Sequence, residues 1–314
     1  MSIGNQQLIQ IKSHLLRQSS IKVPTLRPMV VYTPPGFRPS EHLPCVFFLP
    51  GFGSSPQQWL AKDFPMHRLM DYLILSEELP RALLVCLDGS TPLGGSQYVD
   101  SVLNGPFSRH IVEECVPYIE THYGARGPHS ICGHSSGGMG ALHVASLYPK
   151  MFRAVASFGG DLHFELTHKN MLADLVNDLR SGKLGKSLAE CLKNKTVHYI
   201  LALCAAYSPN PTQKTWKVDF PIDVNTAMFE ARVWEKWLSF DPLHWKASRL
   251  QQLKRCDVVY LSAGRQDQYQ LHLGAEAFAH RALGLGVNCR AEFFQGNHTL
   301  TLRQIEAGLK AMLG

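Results

Sequence analysis

The sequence predicts an α/β fold: a mostly parallel central sheet with helices on both faces. Three observations carry this. Short, continuous apolar blocks bounded by Pro or Gly recur along the chain, as strands buried on both faces require. They alternate with stretches of helical spacing. One block, Ile131-Cys132, runs straight into Gly133-His134-Ser135-Ser136-Gly137, the strand–turn–helix pattern of a nucleophile elbow.

Taken in order, residues 7–16 and 24–34 are β-type runs, the second stopped by Pro34-Pro35-Gly36. Pro44 to Gly51 encloses Cys45-Val46-Phe47-Phe48-Leu49, a buried strand. Residues 64–79 read as a helix, and Ala82 to Gly89 as a second buried strand. A polar, Gly-rich loop, Ser90 to Gly105, leads to a helix over 107–123, where Ile111, Val112, Cys115, Val116 and Ile119 share a face. The elbow strand follows. Its helix carries Met139, Ala141, Leu142, Val144, Ala145 and Leu147 and stops near Pro149. Phe152 to Phe158 is a further strand. Cys256 to Ser262 resumes the pattern, then a helix at 271–285, a strand at 290–294 and a closing helix at 300–313.

Residues 162–255 break the rhythm. They offer helical segments near 170–180, 187–193 and 225–239, joined by Pro-rich links, and are too long for a loop. Because strands of the same kind continue afterwards, this stretch reads as a helical cap inserted into a single domain spanning 1–314.

The 314 residues suffice for one large α/β domain with a substantial core. A hydrophobic content of 45% and a charged content of 18% are ordinary for a soluble globular chain. The net charge of +6 comes from scattered Lys and Arg, without interleaved aromatics. A nucleic-acid partner is therefore not expected. There is no secretory h-region near Met1 and no run long enough to span a bilayer. The eight cysteines include no C-x-x-C pair and mostly sit in apolar stretches, which fits a reducing, cytoplasmic setting.

A serine hydroxyl is a weak nucleophile until a histidine takes its proton, and the imidazole needs a partner that fixes its tautomer. Ser135 at the elbow is the candidate nucleophile. His298, directly after the 290–294 strand, is the candidate base among fifteen histidines. Asp267, directly after the 256–262 strand, is the candidate acid; Asp161, which also follows a strand, competes with it. All three sit where open α/β sheets place their sites. His134 is expected to face away from the serine, as a packing or hydrogen-bonding residue. An oxyanion needs backbone N–H donors. Ser136 supplies one, and Phe52, in the Gly51-Phe52-Gly53 loop, is the candidate for the other. Gly51, Tyr98, Trp234 and Trp245 are candidate substrate-binding residues, although Trp234 and Trp237 also have core-type helical spacing. No metal set stands out, since His163, Glu165 and His168 lack a further matched ligand. There is no phosphate-binding glycine loop, so no cofactor is expected.

Leu49-Pro50-Gly51-Phe52, Gly133 to Leu142, Gly264-Arg265-Gln266-Asp267 and Gly296-Asn297-His298 occur in that order. Together they resemble the Putative esterase family of α/β-hydrolases, which includes esterase D (S-formylglutathione hydrolase), enterochelin-type esterases and mycolyltransferases. The resemblance implies an α/β-hydrolase fold with Ser135 as nucleophile, His298 as base and Asp267 as acid. It also implies an oxyanion hole from the N–H groups of Phe52 and Ser136. The expected activity is hydrolysis of a small-molecule carboxylic ester or thioester through an acyl-enzyme. Acyl transfer on the same triad and an S-formylglutathione hydrolase-type thioesterase are the alternatives, a non-catalytic binding protein is argued against by the presence of all three residues, and the oligomeric state is left between monomer and homodimer.

Overall fold

In the computed structural model, residues 3–60, 65–181, 193–214 and 216–314 are described. Eight strands form the main sheet: β1 (Asn5–Lys12), β2 (Leu26–Thr33), β3 (Cys45–Leu49), β4 (Leu83–Leu87), β5 (His129–His134), β6 (Phe152–Phe158), β7 (Val258–Gly264) and β8 (Cys289–Phe294). Their spatial order is β1-β2-β4-β3-β5-β6-β7-β8. β2 is antiparallel to both β1 and β4, and every later pairing is parallel.

The apolar blocks explain the layering. In β3, Cys45, Phe47 and Leu49 enter one core cluster while Val46 and Phe48 enter the other. A strand with apolar side chains on both faces needs cover on both. One face is covered by α1 (Met66–Leu75) and α8 (Leu302–Leu313), through Met70, Leu73, Ile305 and Leu309. The other is covered by α2 (Val116–Tyr123), α3 (Ser136–Leu147) and α7 (Leu271–Gly284), through Ile119, Leu142 and Phe278. α2 is preceded by a π-helical turn, His110–Cys115. α8 starts with a capping box in which Thr301 accepts from the Gln304 N–H and the Gln304 side chain accepts from the Thr301 N–H.

Between β6 and β7 lie α4 (Lys169–Arg180), α5 (Lys195–Tyr207) and α6 (Ala231–Leu238), with short helical turns. α4 matches the segment expected at 170–180, whereas the one expected at 187–193 falls almost wholly outside the described residues. The helix expected at 225–239 starts only at Ala231. Asp223 explains this: its carboxylate accepts from the Asn225 and Thr226 N–H groups and holds a turn. α5 is not among the segments read from the sequence. Asn194 caps it by accepting from the Val197 N–H at 3.1 Å. Its Ile200, Leu201 and Cys204 join the larger core cluster. The first run, read as 7–16, ends as a strand at Lys12, because Ser13 bonds Glu114 and the Leu16 N–H and starts a turn.

Seven cysteines are described, all free and buried. Cys191 lies outside the described residues. Among the described residues no helix is long and apolar enough to cross a membrane, and no cluster of three or more His, Cys, Asp or Glu could hold a metal ion.

A Cβ at Gly137 would sit inside van der Waals contact of the Leu49 carbonyl oxygen, whereas one at Gly284 meets nothing within 4 Å. Gly137→Ala is therefore expected to cost at least about 2 kcal/mol in urea unfolding. Gly284→Ala is expected to be neutral or stabilising by up to about 1 kcal/mol. Equal effects would show that the close approach is not what constrains this junction.

Candidate active site

β5 ends at His134 and α3 starts at Ser136, so the whole turn falls on Ser135, at φ 55° and ψ −124°. Such a backbone costs of order 1–3 kcal/mol for a residue with a side chain. It is pinned by the Ser135 N–H, which donates to the Phe158 carbonyl at 2.9 Å. Side chains at Gly133 and Gly137 would collide with the Gly137 and Leu49 carbonyl groups, respectively. The pattern Gly-x-Ser-x-Gly thus reflects two places where backbone touches backbone.

A second close approach joins the late loops. A Cβ at Gly264, the last residue of β7, would overlap the carbonyl oxygens of Gly296 and Asn297. With glycine there, the Arg265 and Gln266 N–H groups donate to Phe294 and Gly296, each at 2.9 Å. Asp267 and His298 are thereby brought together. Asp267 Oδ2 lies 2.8 Å from His298 Nδ1, and Asp267 Oδ1 accepts from the Tyr269 N–H at 2.8 Å. The Asp267 side chain is 1% exposed. A carboxylate can only accept, so Nδ1 carries the proton and Nε2 is left as a proton acceptor. The edge of the Tyr269 ring packs on the His298 ring at 5.1 Å.

His134 braces the same histidine from the other side. Its Nε2 donates to the His298 carbonyl at 3.0 Å, and the two rings lie 4.7 Å apart. Burial, reinforced by His298, pulls its pKa down to about 4, so it is neutral at physiological pH. It is the hydrogen-bonding residue expected from the sequence, but it lines the same cavity as Ser135 rather than facing away.

That cavity has a volume of about 490 Å³ and is lined by Ser135 and His298 together with Gly51, Phe52, Asp161 and Tyr199. Among the described residues no hydrogen bond joins the Ser135 hydroxyl to the His298 ring; free enzymes often form this contact only with substrate in place. Gly51 lies against the serine, since a Cβ on it would sit 3.2 Å from Ser135 Cβ. Neither Phe52 N–H nor Ser136 N–H donates to any described group. The latter belongs to the first turn of α3, which has no intrahelical acceptor for it. Phe52 packs its ring edgewise on His198 and Tyr199 at 5.2 and 5.0 Å.

Three candidate substrate contacts are placed elsewhere. Tyr98 is buried behind the cavity wall, at φ 56°, and its hydroxyl donates to the Pro50 carbonyl at 2.7 Å. It holds the loop that carries Gly51 and Phe52. Trp234 is buried against Trp237, with ring centres 5.7 Å apart. Trp245 Nε1 donates to the Phe240 carbonyl at 3.0 Å, and the Arg249 guanidinium stacks 3.8 Å over its ring. Large aromatics bury much area, and these two fill core. The cavity wall is supplied instead by α5, through Lys195, Thr196, His198 and Tyr199. Its sequence signal was the Asn194 cap followed by the apolar spacing Val197, Ile200, Leu201, Cys204.

Asp161 also lines the cavity and is buried. Its nearest bonded partner is not His298 but Tyr199, whose hydroxyl points at Oδ2 from 3.5 Å. Burial pushes its pKa up to about 6, with His298 opposing the rise and Asp267 adding to it. The folded-state value exceeds the ordinary 3.8, so the native state holds this proton more tightly than the unfolded chain does. Stability is therefore lost as pH rises from about 4 to about 6. Asp161→Asn, which cannot ionise, is expected to raise stability at pH 8 by up to about 2–3 kcal/mol and to change it little at pH 4. Thermal melts at the two pH values check this; equal shifts would remove ionisation as the cause.

Comparison with known proteins places this arrangement. A family model described as Putative esterase matches residues 21–299. Among solved structures, a ferulic acid esterase superposes with a TM-score of 0.64 at 17% identity, covering 100% of this chain and 97% of the other. An S-formylglutathione hydrolase from Agrobacterium tumefaciens gives 0.59 at 17% identity, covering 99% and 96%. A fluorophosphonate-binding serine hydrolase from Staphylococcus aureus gives 0.60 at 13% identity, covering 99% of each chain. At these identities the likeness establishes a shared fold, the α/β-hydrolase fold.

Proposed function

The chain belongs to the Putative esterase family and is a carboxylic ester hydrolase, and on that premise we propose that it is a serine carboxylesterase using Ser135, His298 and Asp267. The observation that carries this is one cavity wall presenting both a strained elbow serine and a histidine whose Nδ1 is held by a buried carboxylate.

In this reading Ser135 Oγ attacks the ester carbonyl carbon as His298 Nε2 takes the hydroxyl proton. The new oxyanion is received by the N–H groups of Phe52 and Ser136, at the positive end of α3. Asp267 keeps the imidazole in the productive tautomer and stabilises its charged form. The carbonyl reforms, the C–O bond to the alcohol breaks, and His298 returns its proton to the departing alkoxide. Water, deprotonated by His298, then attacks the acyl carbon, the bond to Ser135 Oγ breaks, and His298 returns the proton to Oγ as the acid leaves. No cofactor takes part. Tyr98 and His134 act as positioning residues, the first through the Pro50 carbonyl and the second through the His298 backbone. In the same reading the 162–255 segment is a cap, supported by α5, whose Lys195, Thr196, His198 and Tyr199 line the cavity that holds Ser135. A thioester substrate is a second reading, favoured by the likeness to an enzyme that is itself an S-formylglutathione hydrolase.

Ser135→Ala is expected to lower kcat for p-nitrophenyl acetate by about 10⁴-fold or more and to abolish fluorophosphonate labelling. Retained labelling would overturn the nucleophile assignment. Asp267→Asn is expected to lower kcat by about 10³–10⁴-fold through the wrong tautomer, and Asp161→Asn by far less. If only Asp161→Asn collapses kcat, the acid has been misassigned.

A further inference from the structure

The cavity contains polar side chains that the hydrolytic chemistry does not use. His168, immediately before α4, lines it and is 1% exposed. Neither of its ring nitrogens meets a hydrogen-bonding group among the described residues. Its ring is enclosed by Phe164, Tyr199 and Trp237, at centre distances of 4.6, 5.9 and 6.1 Å. Burial pulls its pKa down to about 3, so the ring is neutral and offers one donor and one acceptor. Tyr199 stands between it and Asp161, with its hydroxyl at 3.5 Å from the carboxylate, the long limit of a hydrogen bond. These three groups share the cavity with apolar wall from Phe52 and Met171.

Unpaired polar groups buried in this way are costly, and a ligand that pairs them removes the cost. The set selects among ligand groups. An alkyl end would leave both His168 ring nitrogens unpaired and Asp161 with only the long bond from Tyr199. A carboxylate would be forced against Asp161, with Asp267 close by. A hydroxyl donates and accepts at once, which matches a neutral imidazole beside a phenol and a carboxyl.

We propose that His168, Tyr199 and Asp161 form a hydroxyl-binding subsite, so that the preferred esters carry an uncharged hydroxyl on the acyl or alcohol chain, beyond the ester group. This rests on the reading of Ser135 and His298 as the ester-cleaving pair, because it is measured from the bond they cut.

The test uses the full-length enzyme with p-nitrophenyl esters of hexanoate, ω-hydroxyhexanoate, ω-aminohexanoate and adipate. A second set places the hydroxyl in the alcohol, as hexanoate esters of butanol and butanediol. The expected result is a kcat/KM at least about tenfold higher for the hydroxylated member of one set, with adipate the poorest acyl group. That ratio is expected to fall towards one in both His168→Leu and Tyr199→Phe, two variants so that a folding defect in one leaves the other informative. The set showing the preference assigns the subsite to the acyl or to the alcohol side. Hydrolysis without preference for a hydroxyl, or a preference for the ω-amino ester, overturns the subsite and leaves the esterase reading standing. Failure to hydrolyse any ester, together with no fluorophosphonate labelling, overturns the esterase reading and the subsite with it.

Discussion

At Gly137 the first turn of α3 comes so near the Leu49 carbonyl that no side chain fits between them. This contact sets how the ends of β3 and β5 meet α3, and much of the site follows from it. With the helix held there, the only residue left to make the turn is Ser135, and it does so at positive φ. The loop after β3 is simultaneously placed beside the serine, through Gly51. The cost of the strained serine is small beside the burial supplied by a sheet packed on both faces. Strain here is sustained by rigidity elsewhere: a neighbouring-strand hydrogen bond to Phe158 and a helix with eleven buried residues.

The same device recurs at the other end of the sheet. Gly264 lets the β7 and β8 loops touch, and the pairing of Asp267 with His298 follows from that contact. Electrostatics then separate the groups by burial. His134, packed against His298, is held neutral, so it braces that ring without adding a competing positive charge. Asp161 is pushed towards its neutral form while Asp267, fixed by the Tyr269 N–H as well as by the ring, meets the imidazole directly. Two carboxyl groups near one histidine therefore differ in what they bond.

These backbone contacts also explain what could be read from the sequence. Gly133, Gly137 and Gly264 are demanded by geometry, and strands β3 and β4 are apolar on both faces, so the fold, the elbow and the positions of Asp267 and His298 relative to strand ends were legible. The cavity wall was not. α5 has thirteen residues of which nine are buried, so further apolar positions wrap most of the way round and blur the spacing of Val197, Ile200, Leu201 and Cys204. Trp234 and Trp245 drew attention as pocket candidates because of their size, yet both are buried, the first ring packed on Phe229 and Trp237 and the second on Phe278 and the Arg249 guanidinium. Tyr98 was found but its role was not, because a hydroxyl reaching the Pro50 carbonyl from 48 residues away leaves no mark on local sequence.

Phe52 carries one further consequence. It lines the cavity from the β3 loop, and its ring rests on His198 and Tyr199 of α5. Under the proposed mechanism, a residue that serves turnover is therefore seated on the helix that shapes the cavity. A lineage that diversified α5 to admit new acyl or alcohol groups would also disturb the seat of a residue in the β3 loop, and would have to restore it by compensating change near Gly94 or Tyr98. Divergence of specificity on this scaffold is thus expected to proceed by paired rather than single substitutions.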